Sequence, residues 1–106
     1  MAGMWTPDGL DRALVEFSDV LRTAGKNART VNAYGYRAKR FVRWMQRDSV
    51  DSGLKWPASL DAMRARLDRY VAAVRASDLV STSADSYVDG ATRFIDWLEA
   101  TERSRR

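Results

Sequence analysis

The sequence predicts an all-α fold of four helices arranged as two packed helical hairpins. Three observations predict it. Apolar residues recur at helical spacing in four separate stretches, each stretch is bracketed by capping or breaking residues, and the second half of the chain repeats the first at a constant offset of 53 residues. No stretch shows the alternation of a strand.

The first helix opens at Thr6-Pro7-Asp8. Threonine suits the N-cap, proline the first helical position, where no amide hydrogen bond is lost, and aspartate the positive end of the helix dipole. Leu10, Leu14, Phe17, Val20 and Leu21 follow at helical spacing until Gly25, and residues 1–5 precede as a short N-terminal extension. The second helix starts after Asn27, a good cap, and runs to about Arg47 with Val31, Tyr34, Ala38, Phe41, Val42 and Met45 on one face. Asp48 to Ala58, with Ser49, Ser52, Gly53 and Pro57, predicts a loop. Ser59 caps a third helix carrying Leu60, Met63, Leu67, Tyr70, Val71 and Val74. After a turn-like stretch from Ser77 to Ser83, the fourth helix carries Tyr87, Val88, Ala91, Phe94, Ile95 and Leu98, and the domain, residues 6–102, gives way to a basic tail at Arg103 to Arg106.

The repeat aligns Thr30-x-x-x-Tyr34-x(6)-Phe41-x-x-Trp44-Met45 with Ser83-x-x-x-Tyr87-x(6)-Phe94-x-x-Trp97-Leu98. The same offset pairs Asp8 with Asp61, Leu14 with Leu67, Phe17 with Tyr70 and Leu21 with Val74. Two related hairpins, neither able to bury its apolar face alone, are expected to pack on one another around Tyr34, Phe41, Tyr87 and Phe94. Trp44 and Trp97 fall at the margin of each apolar stripe, where an indole is half buried with its N–H in water.

With 106 residues, 45% of them hydrophobic, the chain suits one domain with its own core. It holds neither cysteine nor histidine. That removes disulfides, thiolate metal sites, the commonest general base, and every Ser-His or Cys-His nucleophile, so no enzymatic activity and no cofactor are expected. The serines and threonines from Ser77 to Ser83 are expected as caps, because no base is present to activate them. Met1 to Thr6 is too short and polar for a signal peptide and no apolar run approaches membrane length, so a soluble cytoplasmic protein without a membrane partner or small-molecule substrate is expected.

The net charge is +4, but its distribution matters more. Between Val20 and Arg47 stand eight basic residues and no acidic one, whereas the remainder carries ten basic against fourteen acidic residues. At about 100° per residue, Asn32, Tyr36, Lys39, Arg40, Arg43 and Arg47 gather opposite the apolar face of the second helix. Lys26, Asn27, Arg29 and Thr30 sit at its start, where free backbone N–H groups attract phosphate. A merely solvated face would mix both signs for i to i+4 pairing, so duplex DNA is the expected partner: Lys and Arg for phosphates, Arg and Asn for base edges. At the equivalent positions of the fourth helix stand Asp85, Asp89 and Asp96. They span about three turns, too far for one metal ion, and Asp89 is placed to pair with Arg93, so no metal site is expected.

The run Leu21-x-x-x-Gly25-x-Asn27-x-x-Thr30-x-x-x-Tyr34-x(6)-Phe41-x-x-Trp44-Met45 resembles the N-terminal core-binding domain of phage integrases and other tyrosine site-specific recombinases. Its companion, Tyr70-Val71-x(10)-Thr82-Ser83-x-x-x-Tyr87-x(6)-Phe94-x-x-Trp97-Leu98, resembles the closing half of that domain, so the likeness covers roughly Thr6 to Glu102. The resemblance implies a four-helix, SAM-like domain that grips duplex DNA at a recombination site beside other protomers. The catalytic arginines, histidine and nucleophilic tyrosine would belong to a second domain beyond the linker, so none of Tyr34, Tyr36, Tyr70 and Tyr87 is a nucleophile. Its second and fourth helices would approach the major groove, through Lys26, Arg29, Thr30, Asn32, Tyr36, Lys39, Arg40 and Arg43 in the second. The acidic fourth helix departs from that pattern and leaves Thr82, Ser83, Ser86 and Arg93. The alternative function is a free-standing helical adaptor, of phage or mobile-element origin, that binds a protein through the acidic helix and Trp97.

Overall fold

The structure, a computed structural model, describes residues 5–57 and 59–104. Three helices begin where a capping side chain satisfies an otherwise orphaned amide: Thr6 Oγ1 accepts from Gly9 N–H at 2.9 Å, Asn27 Oδ1 from Thr30 at 2.8 Å and Ser59 Oγ from Ala62 at 3.2 Å. Each such cap stabilises its helix by about 1 kcal/mol. The elements are α1 (Pro7–Thr23), α2 (Ala28–Ser52), α3 (Leu60–Arg75) and α4 (Ser81–Ser104), so the fold is all-helical. Helix α1 packs antiparallel on α2 and α3 on α4, and the two hairpins join chiefly where α2 crosses α4.

The boundaries differ from expectation at three places. Helix α2 does not stop near Arg47 but continues through Asp48 to Ser52, and ends at Gly53, whose φ of 67° only glycine adopts at low cost. The extra turn is held from its own side by Ser52 Oγ donating to Asp48 at 3.1 Å, and from α3 by Arg66 and Arg69, which both reach the Asp48 carboxylate. Helix α4 starts at Ser81, so the end of the turn-like stretch is its first turn. At the other end, Arg103 and Ser104 extend α4, while the last two residues of the expected tail, and Met1–Met4 of the expected extension, lie outside the described residues.

The core confirms the repeat and reveals its symmetry. Phe41 and Phe94 are fully buried. Phe17 of α1 packs edge-on against Phe94 of α4 at 5.4 Å and against Trp97 at 5.5 Å; 53 residues on, Tyr70 of α3 meets Phe41 of α2 at 5.1 Å and Trp44 at 5.3 Å. Each hairpin therefore sends the aromatic of its first helix into the second helix of the other, an exchange related by an approximate two-fold axis. On that axis Arg37 of α2 faces Gly90 of α4, also 53 residues apart, and a Cβ on Gly90 would overlap the Arg37 Cβ. Glycine is required there because the helices touch. Tyr34 and Tyr87, expected in the core, are only half buried: the Tyr34 hydroxyl donates to Asp89 at 3.4 Å, and the Tyr87 ring is covered by the Arg40 guanidinium. Val20, expected on the apolar face of α1, is 47% exposed, and Ala13 fills the interior instead. Trp44 and Trp97 are half buried, as their marginal positions predict.

Candidate nucleic-acid interface

Helix α2 carries two chemistries because it is amphipathic around its whole length. Val31, Ala38, Phe41, Val42 and Met45 are buried, and Asn32, Tyr36, Lys39, Arg40, Arg43 and Arg47 are all exposed on the other side. Burying the first set fixes the azimuth of the second.

Five of the residues picked out by sequence converge on one concavity. Tyr36, Lys39, Arg40, Arg43 and Arg47 form one wall of a groove of about 680 Å³. The facing wall comes from Tyr70, Ala73 and Val74 of α3 with Ser77 and Leu79 of the α3–α4 connection, and Trp44 joins the two. Asn32 lies instead in a shallower groove of about 350 Å³ between α1 and α2, with Tyr36 and Lys39 on the rim shared by both. Lys26, Asn27, Arg29 and Thr30 are outside either groove, at the α1–α2 corner. Asn27 spends its side-chain oxygen on the Thr30 amide, so both residues act there as a cap, and Arg29 and Lys26 are the exposed cations of that corner.

The charges divide sharply between the hairpins. Every arginine of α3 and α4 is ion-paired: Arg64 with Asp96 and Glu99, Arg66 and Arg69 with Asp48, Arg75 with Asp85, Arg93 with Asp89, and Arg103 with Glu99. These bonds hold the carboxyl of Glu99 below its usual range, chiefly through the hydrogen bond from Arg64, and that of Asp48 below its own, chiefly through Arg69. In the basic segment only Arg22 (to Asp19, 2.7 Å) and Arg43 (to Asp11, 3.5 Å) meet a carboxylate among the described residues. Lys26, Arg29, Arg37, Lys39, Arg40 and Arg47 do not. The three aspartates of α4 thus go to three different arginines, and Asp89 pairs with Arg93 in the expected i to i+4 geometry.

The repeat shows how this asymmetry arises. Arg40 and Arg93 are equivalent by the 53-residue offset, and each lies over the tyrosine of the opposite hairpin, Arg40 at 4.5 Å from the Tyr87 ring centre and Arg93 at 5.2 Å from Tyr34. Four residues before each stands its side-chain partner. For Arg93 it is Asp89, contacted through Nε at 3.1 and 3.0 Å; for Arg40 it is Tyr36, whose Oη accepts at 3.5 Å. One position therefore decides that Arg93 is neutralised and Arg40 is held in place with its charge intact. Burial pulls the Arg40 guanidinium down, but the Tyr36 hydrogen bond and the nearby phenol oxygens outweigh it and leave its pKa above the ordinary value.

Sequence reasoning assigned Tyr70 and Tyr87 to the core and left Ala73, Ser77 and Leu79 out. Tyr70 is buried, yet its hydroxyl has no hydrogen-bond partner among the described residues, and burial pushes its pKa up. The available signal was the repeat itself: where the first half has Phe17, the second has a phenol oxygen that needs a partner. No family model matches the chain, and no match to it is found among curated proteins or solved structures.

Proposed function

We propose that the protein binds duplex DNA through α2, as the non-catalytic core-binding domain of a tyrosine site-specific recombinase or phage integrase acting in DNA recombination and integration. The observation that carries this reading is the division of charge: the cations of α3 and α4 are spent on carboxylates, while six of the segment around α2 have none among the described residues. An unpaired cation is free to displace a counterion from phosphate, which is the main sequence-independent source of DNA affinity. Lys39, Arg40 and Arg47 along the helix suit phosphates, as does Arg43 once it leaves its long, half-exposed pair with Asp11, whereas Arg29 and Asn32, near its start, suit base edges. The sequence resemblance supports the recombinase assignment. An adaptor that bound protein through α4 would have to break the ion pairs of Asp85, Asp89 and Asp96, and its Trp97 is engaged with Phe17 and Phe94.

The test is a titration with duplex DNA at low salt, read by amide chemical shifts. Shifts are expected from Lys26 to Arg43, and alanine at Lys39, Arg40 or Arg43 should each lower the slope of log affinity against log salt by about one unit. A segment from Lys26 to Arg43 that stays unmoved at low salt overturns the proposal, because unscreened charges could not hide an electrostatic contact.

A further inference from the structure

The α2–α3 groove has a composition that phosphate contacts alone do not explain. Its α2 wall presents Lys39, Arg40, Arg43 and Arg47, all hydrogen-bond donors without an acceptor atom, beside the Tyr36 hydroxyl, and among the described residues no carboxylate lines it. Among its lining residues is Tyr70, 1% exposed, whose buried hydroxyl has no partner among the described residues. Around that phenol stand cations that only donate, and it makes no hydrogen bond to the Tyr36 hydroxyl of the same wall, so among the described residues its proton has no acceptor. The Ser77 hydroxyl, which donates to the Val74 carbonyl and receives the Leu79 amide, makes no hydrogen bond to Tyr70. The rest of the lining is apolar: Trp44, set edge-on to Tyr70, with Ala73, Val74 and Leu79. A sugar–phosphate ridge is polar throughout and would leave that wall unused.

We propose that this groove is a seat for one unpaired nucleotide, with a phosphate oxygen accepting from Tyr70 Oη and Arg40 and the base lying against Trp44 and Leu79. The ligand class follows from the two walls: cations and a donor hydroxyl select an anion with free acceptor oxygens, and an indole beside aliphatic side chains selects a planar, weakly polar body. At about 680 Å³ the groove is of ligand size and holds a nucleotide with room for its neighbour. Arg40 arrives pre-positioned, fixed by Tyr36 and the Tyr87 ring, so little freedom is lost when phosphate binds. Tyr36 and Tyr87 are positioning residues. The seat rests on the nucleic-acid reading only for where its nucleotide comes from, a free mononucleotide and an unpaired stretch of strand having the same chemistry.

The experiment titrates the protein with deoxyadenosine monophosphate, deoxyadenosine, inorganic phosphate, single-stranded oligodeoxyadenylate and a blunt duplex, reading the Trp44 indole N–H and the amides from Ala73 to Leu79. The nucleotide should move these signals, and bind more tightly than either the nucleoside or phosphate. Tyr70→Phe should weaken it by roughly tenfold, the loss expected for a hydrogen bond to a charged acceptor, without lowering the melting temperature, since it removes a buried hydroxyl that has no partner. Leu79→Ala should weaken the nucleotide by about threefold and leave inorganic phosphate unchanged. A single strand that moves Trp44 where the blunt duplex does not identifies an unpaired strand as the source; a response to the mononucleotide alone identifies free nucleotide. Equal binding of nucleotide and phosphate, or no movement from Ala73 to Leu79 at millimolar nucleotide and low salt, overturns the seat. If the duplex then still moves Lys26 to Arg43, the DNA reading stands without the seat, and nucleotide binding without any DNA binding means the reverse.

Discussion

Tyr36→Asp would give Arg40 the partner that Arg93 already has. In α4 the equivalent Asp89 holds the Arg93 Nε through both carboxylate oxygens at 3.0–3.1 Å, across one turn of helix and with both side chains about half exposed. An exposed i to i+4 pair of this kind contributes only about 0.3–0.5 kcal/mol to stability. The lost Tyr36–Tyr87 edge contact, at 6.4 Å, is worth a similar or slightly larger amount, so the variant should melt within a few degrees of the parent. Binding is another matter. Neutralising Arg40 removes one displaced counterion, and the salt slope for duplex DNA should fall by about one unit. The new pair should thus reproduce Arg40→Ala in slope while keeping the side chain in place. The converse change, Asp89→Asn, releases Arg93 and should leave DNA affinity unchanged or raised, as should Asp85→Asn, which releases Arg75. Fluorescence anisotropy over a salt series reads all of these. A Tyr36→Asp protein that is folded and has the parental slope would refute the claim that Arg40 carries a phosphate, and a large loss in Asp89→Asn would mean that α4 reads bases through its carboxylates.

Three further outcomes test the fold that presents this face. Gly90→Ala should destabilise by about 1–2 kcal/mol in urea unfolding, because overlap with the Arg37 Cβ outweighs the roughly 1 kcal/mol that alanine gains in a helix, whereas Gly35→Ala, whose nearest neighbour is the rotatable Ser18 hydroxyl, should not. If both glycines respond alike, the α2–α4 contact is not as close as described. Phe41→Ala and Phe94→Ala should each cost about 3–5 kcal/mol, and a stability unchanged within error would remove them from the core. Asp48→Ala leaves the guanidinium of Arg66, only 8% exposed, without its carboxylate and should cost about 3 kcal/mol, while Arg66→Met with Asp48→Ala should recover much of that. Because Asp48 and Glu99 titrate below their unfolded values, their contribution is complete above about pH 5 and is lost as pH falls through the lowered folded values, so an acid limb that is unchanged in Asp48→Asn would contradict the pairing.

Local chemistry was legible along the chain. The caps at Thr6, Asn27 and Ser59, the four amphipathic stretches, the 53-residue repeat and the opposed faces of α2 all depend on residues within a turn or two of one another, or on a period, and periodicity survives without coordinates. The end of α2 was not legible, since Asp48 and Ser52 resemble loop residues until Arg66 and Arg69, about twenty positions away, hold them in the helix. Nor could the sequence distinguish every charge that is spent from one that is free. The pair of Arg93 with Asp89 lies within one turn and was legible, but whether Arg64, Arg66, Arg69 and Arg75 meet carboxylates depends on α3 lying against both α4 and the end of α2. The groove is the clearest case: its two walls come from segments some thirty residues apart, and Tyr70, read correctly as a core aromatic, carries its unpartnered hydroxyl into a cationic cleft only because the hairpins exchange their aromatic side chains. A side chain's burial follows from its own helix, but the partners of its polar atoms follow from which helices pack together.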